Sequence, residues 1–169
     1  RRLSHLAGNI LLLSKIEHQS IQTRQNWYRL DEQIRQSIVM MEPKWSEKEI
    51  EFDVDMMDVE YLGNENLICH VWDNLLSNAI KFSPCGGTIY IRMMPEGEKI
   101  RFSIENEGPQ ISEYSMKHIF DKFYQGDSSH KQEGNGLGLA LVKQILNLCM
   151  GTVSVENIPG SGCRFTVIL

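Results

Sequence analysis

Two asparagines and a lysine, Asn74, Asn78 and Lys81, recur at spacings of four and three in the run Asp73-Asn74-Leu75-Leu76-Ser77-Asn78-Ala79-Ile80-Lys81-Phe82-Ser83-Pro84. At about 100° per residue such positions share one face of a helix. Amide oxygens are hard ligands of the kind Mg²⁺ takes, and an ammonium is a point charge suited to phosphate. The stripe therefore carries parts for holding a metal-bound nucleotide. A second segment, Gly134-Asn135-Gly136-Leu137-Gly138-Leu139, stands where a loop enters a helix. Glycines let the backbone approach a phosphate, and free amides at a helix N-terminus favour anions. No Lys-Ser/Thr pair follows these glycines, so the segment is not a P-loop. No parallel βαβ unit is read around it, so it is not a dinucleotide fingerprint either. A third segment, Glu105-Asn106-Glu107-Gly108-Pro109-Gln110-Ile111, follows an apolar strand. A polar side chain beside a glycine there can read a base edge, and the same residues also read as a plain turn.

These groups need elements to position them. Ile68, Val71, Trp72, Leu75, Leu76 and Ala79 form an apolar stripe on the opposite face of the first segment. The pattern predicts a helix from about Glu65 to Ser83, seated on a core. Upstream, residues 1–17 are helical by pattern, with Leu3, Leu6, Ile10, Leu13 and Ile16 in register and Leu11 and Leu12 widening the stripe. Such a broad stripe implies a partner helix, so the segment reads as half of a hairpin. Residues 19–26 read as a polar linker. Trp27 to Leu30 reads as a short strand, and Asp31 as the cap of a helix running to about Glu42, with Pro43 near its end. Ile50 to Val54 alternates as a strand, and Asp58 to Leu62 is a weaker candidate. Ile89 to Met93 and Ile100 to Ile104 form a hairpin about Pro95 to Glu98. Ser112 caps a short helix through Ile119. The glycine run opens a helix to about Met150, and Val153–Val155 and Cys163–Leu169 form a last hairpin. The reading is an α+β two-layer sandwich.

The bulk composition narrows the classes. A chain of 169 residues, 41% hydrophobic and 23% charged, suits one domain with an appendage. A net charge of −5 with scattered Lys and Arg argues against nucleic acid as a partner. No apolar run approaches membrane-spanning length, and the N-terminus is not a signal peptide. The chain opens on Arg1 rather than Met and is expected to be a piece of a longer protein. The four cysteines form no C-x-x-C pair and no zinc spacing. Cys69, Cys149 and Cys163 read as small core hydrophobes, and a reducing cytosol is the simplest compartment.

Taken in order, the motifs resemble one family. Asn74-Leu75-Leu76-Ser77-Asn78-Ala79-Ile80-Lys81-Phe82-Ser83 resembles the N box of sensor histidine kinases. Asn106-x-Gly108-Pro109-x-Ile111 resembles their G1 box, and Ile119-Phe120-Asp121-Lys122-Phe123-Tyr124 their F box. Gly134-Asn135-Gly136-Leu137-Gly138-Leu139-Ala140 resembles the G2 box, and Gly160-Ser161-Gly162-Cys163-x-Phe165 the closing glycine motif. The likeness runs from about residue 27 to the C-terminus. Residues 1–18 resemble the second helix of the dimerisation and phosphoacceptor hairpin, so the expected division is 1–18 stub, 19–26 linker and 27–169 catalytic domain.

The resemblance implies a GHKL-type ATP-binding fold: a mixed, mostly antiparallel sheet backed by helices, with ATP between the N-box helix and a mobile lid. Asn78 would coordinate Mg²⁺, Asn74 would lie near the triphosphate and Lys81 would neutralise it. Asn74 and Lys81 are thus the expected catalytic pair. Phe82 would pack by the adenine or ribose, and Asn106 would face the adenine amino group with Gly108 beside the ring. Ile111, Phe123, Leu137 and Leu139 would complete the nucleotide site. Gly134, Gly136 and Gly138 would end the lid and offer amides to phosphate. Phe120 and Phe123 would anchor that lid, Gln125 to Glu133. Two positions depart from the family pattern: Asn106 stands where Asp is usual, and Gln110 where a second Gly is common.

The implied activity is phosphoryl transfer from Mg·ATP to a histidine, then to an aspartate of a response-regulator receiver domain, by a homodimer built on the dimerisation helices. The implied location is the cytoplasmic side of a membrane sensor. No phosphoacceptor motif is present. His5 lies on the wrong helix and lacks the flanking acid and Arg-x-x-Pro, so it reads as a bundle-surface histidine. His18, His70, His118 and His130 also lack motif context; His70 shares the Asn74 stripe one turn earlier, which would put it near phosphate. Rival readings are a gyrase- or MutL-type GHKL ATPase, an anti-sigma-factor serine kinase, and a degenerate docking module. Asn74 stands where the ATPases carry a Glu base, and an amide cannot serve as a base. The serine kinases lack a long helix like residues 1–17.

Overall fold

A computed structural model describes residues 2–18, 24–126 and 134–169, with side chains described from Leu6 onward in the first of these stretches. The elements in chain order are α1 (Arg2–Glu17), β1 (Asn26–Arg29), α2 (Leu30–Met40), α3 (Glu42–Glu47), β2 (Glu51–Met56), β3 (Glu60–Gly63), α4 (Glu65–Phe82), β4 (Thr88–Glu96), β5 (Lys99–Glu107), α5 (Glu113–His118), α6 (Gly138–Leu148), β6 (Thr152–Ile158) and β7 (Gly162–Ile168). Five strands form one sheet in the order β2-β4-β5-β7-β6. All its pairings are antiparallel except β2 with β4, where Glu51 pairs Thr88. This is the expected α+β class with a mixed sheet. A parallel pair needs a long crossover, and here the crossover passes through β3 and α4.

The strand alternation decides which face is covered. Ile89, Ile91 and Met93 of β4, Phe102 and Ile104 of β5, and Phe165 and Val167 of β7 are buried. They meet Ile68, Val71, Trp72, Leu75 and Leu76 of α4 and Leu141, Val142 and Ile145 of α6 in one core. Burying each such side chain contributes about 1.5–3 kcal/mol before chain entropy is charged against it. The Trp72 ring lies 4.8 Å from that of Phe102, and its Nε1 donates to Gln33 Oε1 at 2.8 Å. The alternate residues, Tyr90, Arg92, Ser103, Glu105, Arg164 and Thr166, line the other face. Arg164 there bridges Glu105 at 2.8 Å and Glu156 at 3.2 Å. One packed face and one wet face are what an antiparallel sheet permits.

Several local expectations are corrected. Asp31 does not cap α2. The helix starts at Leu30, and the buried Asp31 carboxylate takes the Arg29 guanidinium at 2.6 and 2.8 Å and the Val59 amide at 3.2 Å. Those guanidinium bonds hold its carboxyl below the ordinary range. Pro43 does lie just past the end of α2, and it stands in the first turn of α3, where a missing amide costs nothing. The weak strand candidate is β3, which pairs β1 in a separate ribbon with Trp27 opposite Leu62. Strand β4 continues through Pro95 to Glu96, and Gly97 (φ 65°) makes the turn. Of the cysteines, Cys163 is buried, Cys69 and Cys149 are half-buried and Cys85 is exposed. Helix α1 lies against α6 with Leu13 and Ile16 buried, while Ile10 and Leu11 are exposed. No helix among the described residues is long and apolar enough to cross a membrane.

Candidate functional site

The site is built outward from α4. Its N-terminus is capped by Asn64, whose Oδ1 accepts from the Leu67 amide at 3.1 Å. Its C-terminus is closed by a residue that the sequence pattern does not single out. The Lys48 ammonium donates to the carbonyls of Ile80 (2.7 Å), Lys81 (3.1 Å) and Ser83 (2.5 Å). These are the carbonyls a helix end leaves without partners, and a cation there also complements the helix dipole. The last turn, which carries Lys81 and Phe82, is thereby fixed.

On the exposed stripe, Asn74 Nδ2 donates to the His70 carbonyl one turn earlier at 2.7 Å, which leaves Oδ1 pointing outward from the helix. Asn78 is half-buried and makes no side-chain hydrogen bond among the described residues. The Lys81 ammonium lies 4.8 Å from the centre of the Phe82 ring. Burial pulls its pKa down from that of a free lysine, and no carboxylate pairs with it among the described residues.

The glycine run closes over this stripe. A Cβ on Gly138 would stand 2.5 Å from Asn74 Oδ1, and one on Gly134 would stand 3.2 Å from Lys81 Nζ. Gly136 has φ 69°, and a Cβ there would fall 2.6 Å from the Phe123 carbonyl carbon. Its own carbonyl accepts the Phe123 amide at 2.9 Å. Gln125 Nε2 donates to the Gly134 carbonyl at 2.8 Å. Helix α6 starts at Gly138 with no side-chain cap, and the Leu137 amide before it is taken by Asn135 Oδ1 at 3.1 Å. The first amides of α6 thus remain available at the Asn74 side of the site. Leu137 is buried beneath them and Leu139 is half-buried.

The third wall lies at the end of β5. Asn106 is only 2% exposed; its Nδ2 donates to the Glu107 carbonyl at 3.0 Å and its Oδ1 accepts the Cys163 thiol at 3.5 Å. Gly108 has φ 144°, and a Cβ on it would sit 2.5 Å from the Phe82 carbonyl oxygen. The loop is tied down by Gly108 N donating to Ser161 O at 3.0 Å. Asn157 completes the tie. Its Oδ1 accepts the Ile111 amide and its Nδ2 donates to the Ile111 carbonyl, both at 2.8 Å. Cys163 and Asn157 were not legible as site-forming residues, because each acts from a different strand, Cys163 from β7 through one hydrogen bond and Asn157 from β6 through two.

The structure therefore brings Asn74 and Lys81 together with Gly134 and Gly138, and Phe82 together with Asn106 and Gly108. It separates Phe123. That ring is 64% exposed and φ is 61°, so only its backbone is held. With Ile10, Leu13, Ser14, Glu17, Lys122 and Leu137 it lines a crease of about 190 Å³ beside α1, spanned by a Glu17–Lys122 ion pair. Phe120 does the packing expected of both phenylalanines, with its ring edge-on to Phe165 at 6.3 Å. Residues 127–133, most of the expected lid including His130, lie outside the described residues, as do residues 19–23 of the linker and the His5 side chain.

Residues 63–169 match the family model of histidine kinase-, DNA gyrase B- and HSP90-like ATPases. The chain belongs to this ATPase family. It is 32% identical over 166 residues to the heme sensor protein HssS of Staphylococcus saprophyticus, covering 98% of this chain and 36% of that protein. The chain thus spans about a third of the curated relatives it matches. Its fold superposes on full-length ShkA in complex with AMPPNP with a TM-score of 0.84 at 26% identity, over 98% of this chain and 35% of that one. It also superposes on the histidine kinase ThkA in complex with the response regulator protein TrrA, with a TM-score of 0.77 over 99% of this chain and 48% of that one; at 24% identity this shows the fold alone.

Proposed function

We propose that the chain is the ATP-binding catalytic part of a sensor histidine kinase, with residues 1–18 a stub of its dimerisation helix and 27–169 the catalytic domain. The observation that carries this is the convergence of Asn74 and Lys81 on Gly138 and Gly134. An amide, an ammonium, glycines and the open N-terminus of α6 meet at one place, which is the donor set a triphosphate needs. Asn78, on the same face, would hold Mg²⁺, which when bound neutralises charge on the phosphates. Phe82, Asn106 and Gly108 would take the base, with Ile111, Leu137 and Leu139 walling the site and Gly136 shaping the lid's return. A similar fold solved with AMPPNP supports the nucleotide class.

In this reading the chain contributes positioning and charge neutralisation. The γ-phosphorus–oxygen bond breaks, ADP leaves, and a phosphorus–nitrogen bond forms to an imidazole on another helix. Asn74 in place of a carboxylate fits transfer to such a group better than hydrolysis, because an amide cannot serve as a base toward water. Relay to an aspartate of a response regulator would follow, and a related fold solved with a response regulator agrees. The exposed Ile10 and Leu11 on α1 suit a homodimer through that helix, within a longer, membrane-attached sensor. The test is melting temperature with Mg·ATP or Mg·ADP, since a ligand that binds only the folded state raises it. A rise with both, and no acid-labile labelling of the chain by γ-labelled ATP, is expected. No rise at millimolar nucleotide would move the assignment to a docking module.

A further inference from the structure

The first half of α4 carries a second group of ligating side chains, upstream of Asn74, with His70 on the Asn74 stripe one turn earlier. Cys69, His70 and Asp73 each present one donor atom, and the three donors lie within 4.8 Å of one another. Helical spacing explains the convergence: Asp73 is four residues from Cys69 and three from His70, so it is a surface neighbour of both. All three side chains are half-buried, which shields the cluster while leaving it open to solvent. No C-x-x-C pattern announces it, because the ligands share one helix instead of pairing two knuckles.

We propose that Cys69, His70 and Asp73 form a binding site for a borderline divalent metal ion of the Zn²⁺ class. The donor set is sulfur, imidazole nitrogen and carboxylate oxygen, which suits Zn²⁺ or Co²⁺ and not Mg²⁺. Tetrahedral bonds of about 2.0–2.3 Å hold donors roughly 3.3–3.8 Å apart. From donors within 4.8 Å of one another, closing to that spacing asks for about 1–1.5 Å of movement. In the metal-free chain the Cys69 thiol donates to the Asn66 carbonyl at 3.1 Å. Metal binding breaks that bond, forms the metal–sulfur bond and releases the thiol proton to solvent. Three protein ligands leave a fourth position for water. Glu65, one turn earlier on the same stripe, is exposed and near enough to act electrostatically on Cys69. The site is independent of the Mg²⁺ role proposed for Asn78, two turns further along α4.

Cobalt supplies a direct readout, because a thiolate bound to Co²⁺ gives a charge-transfer absorption that oxygen and nitrogen ligands do not. Titrating Co²⁺ into the chain is expected to give this band, saturating at one ion per chain and displaced by Zn²⁺ but not by Mg²⁺. Cys69→Ser should abolish it. Cys85→Ser, at the exposed cysteine elsewhere, should keep it. Asp73→Asn should weaken binding roughly tenfold or more, since losing a ligand costs at least as much as losing a residue that only orients one. A parent chain without the band, or a Cys69→Ser chain that keeps it, overturns the site. Circular dichroism of each variant confirms that the comparison is between folded chains.

Discussion

Gly138 meets Asn74 across the seam between α6 and α4, so closely that a Cβ on Gly138 would stand 2.5 Å from Asn74 Oδ1. The contact joins the glycine motif to the asparagine stripe, and it gives the first prediction. Gly138→Ala pushes on the far end of a side chain, so the fold can yield by moving Asn74. That movement strains the 2.7 Å bond from Asn74 Nδ2 to the His70 carbonyl. The expected result is a melting temperature within a few degrees of the parent and nucleotide affinity lower by about tenfold, or ~1.4 kcal/mol. Calorimetry with Mg·ADP measures it; parent-like affinity would separate the glycine from the site. Gly162→Ala makes the contrast, because its Cβ would lie 2.0 Å from the backbone oxygen of Asn106, which cannot swing away. That variant should lose stability first.

Asn106 is nearly fully buried, with its amide nitrogen committed to Glu107 O and its oxygen facing the weak Cys163 donor. A thiol is a weak donor and an amide oxygen has two lone pairs, so the oxygen retains capacity to accept from an adenine amino group. Asn106→Ala is predicted to weaken ATP by about 1–3 kcal/mol, the range for removing one side of a buried hydrogen bond. GTP, which presents a carbonyl at the corresponding edge, should lose less. Equal losses for both nucleotides would remove Asn106 from base recognition.

Much of this was legible in the chain because the signals are local. The α4 stripe, the β4–β5 hairpin and the glycine run each follow from spacing within one segment. What was not legible depends on contacts between distant segments. Lys48 closes the end of α4 from more than thirty residues upstream. Asp31 has the right type and place for a cap, but a neighbouring guanidinium and the Val59 amide outcompete that use. The parallel β2–β4 pair is fixed by the crossover and not by either strand's pattern. Phe123 follows its sequence motif and yet leaves the core, since Gly136 holds its backbone in the left-handed region.

Lys81 gives a pH prediction with a definite sign. Burial lowers its pKa in the nucleotide-free chain, so it loses its proton at a lower pH than a free lysine. Phosphate binds the charged form. Affinity for Mg·ATP should therefore hold on the acid side of that lowered pKa and fall as pH rises through it, below the ordinary lysine value of about 10.4. Lys81→Met should bind more weakly at neutral pH and lose this alkaline fall. Calorimetry between pH 7 and pH 10 distinguishes the two profiles. Parallel profiles for parent and variant would show that another group titrates.

Asp31 gives the corresponding prediction for stability. Its folded-state pKa is depressed, chiefly by hydrogen bonds from Arg29. Its contribution is then fully present above the unfolded value of about 3.9 and is lost as pH falls through the folded value. Asp31→Asn keeps one acceptor for the Val59 amide but loses the ion pair. Because the Arg29 side chain is 42% exposed, the pair is screened, and the expected result at pH 7 is a modestly lower urea midpoint than the parent's. The gap between parent and variant should shrink below about pH 4, as the parent's carboxylate takes up its proton. A gap that stays constant down to pH 2.5 would show that the Arg29 pair adds nothing to stability and that Asp31 acts only as the acceptor for Val59.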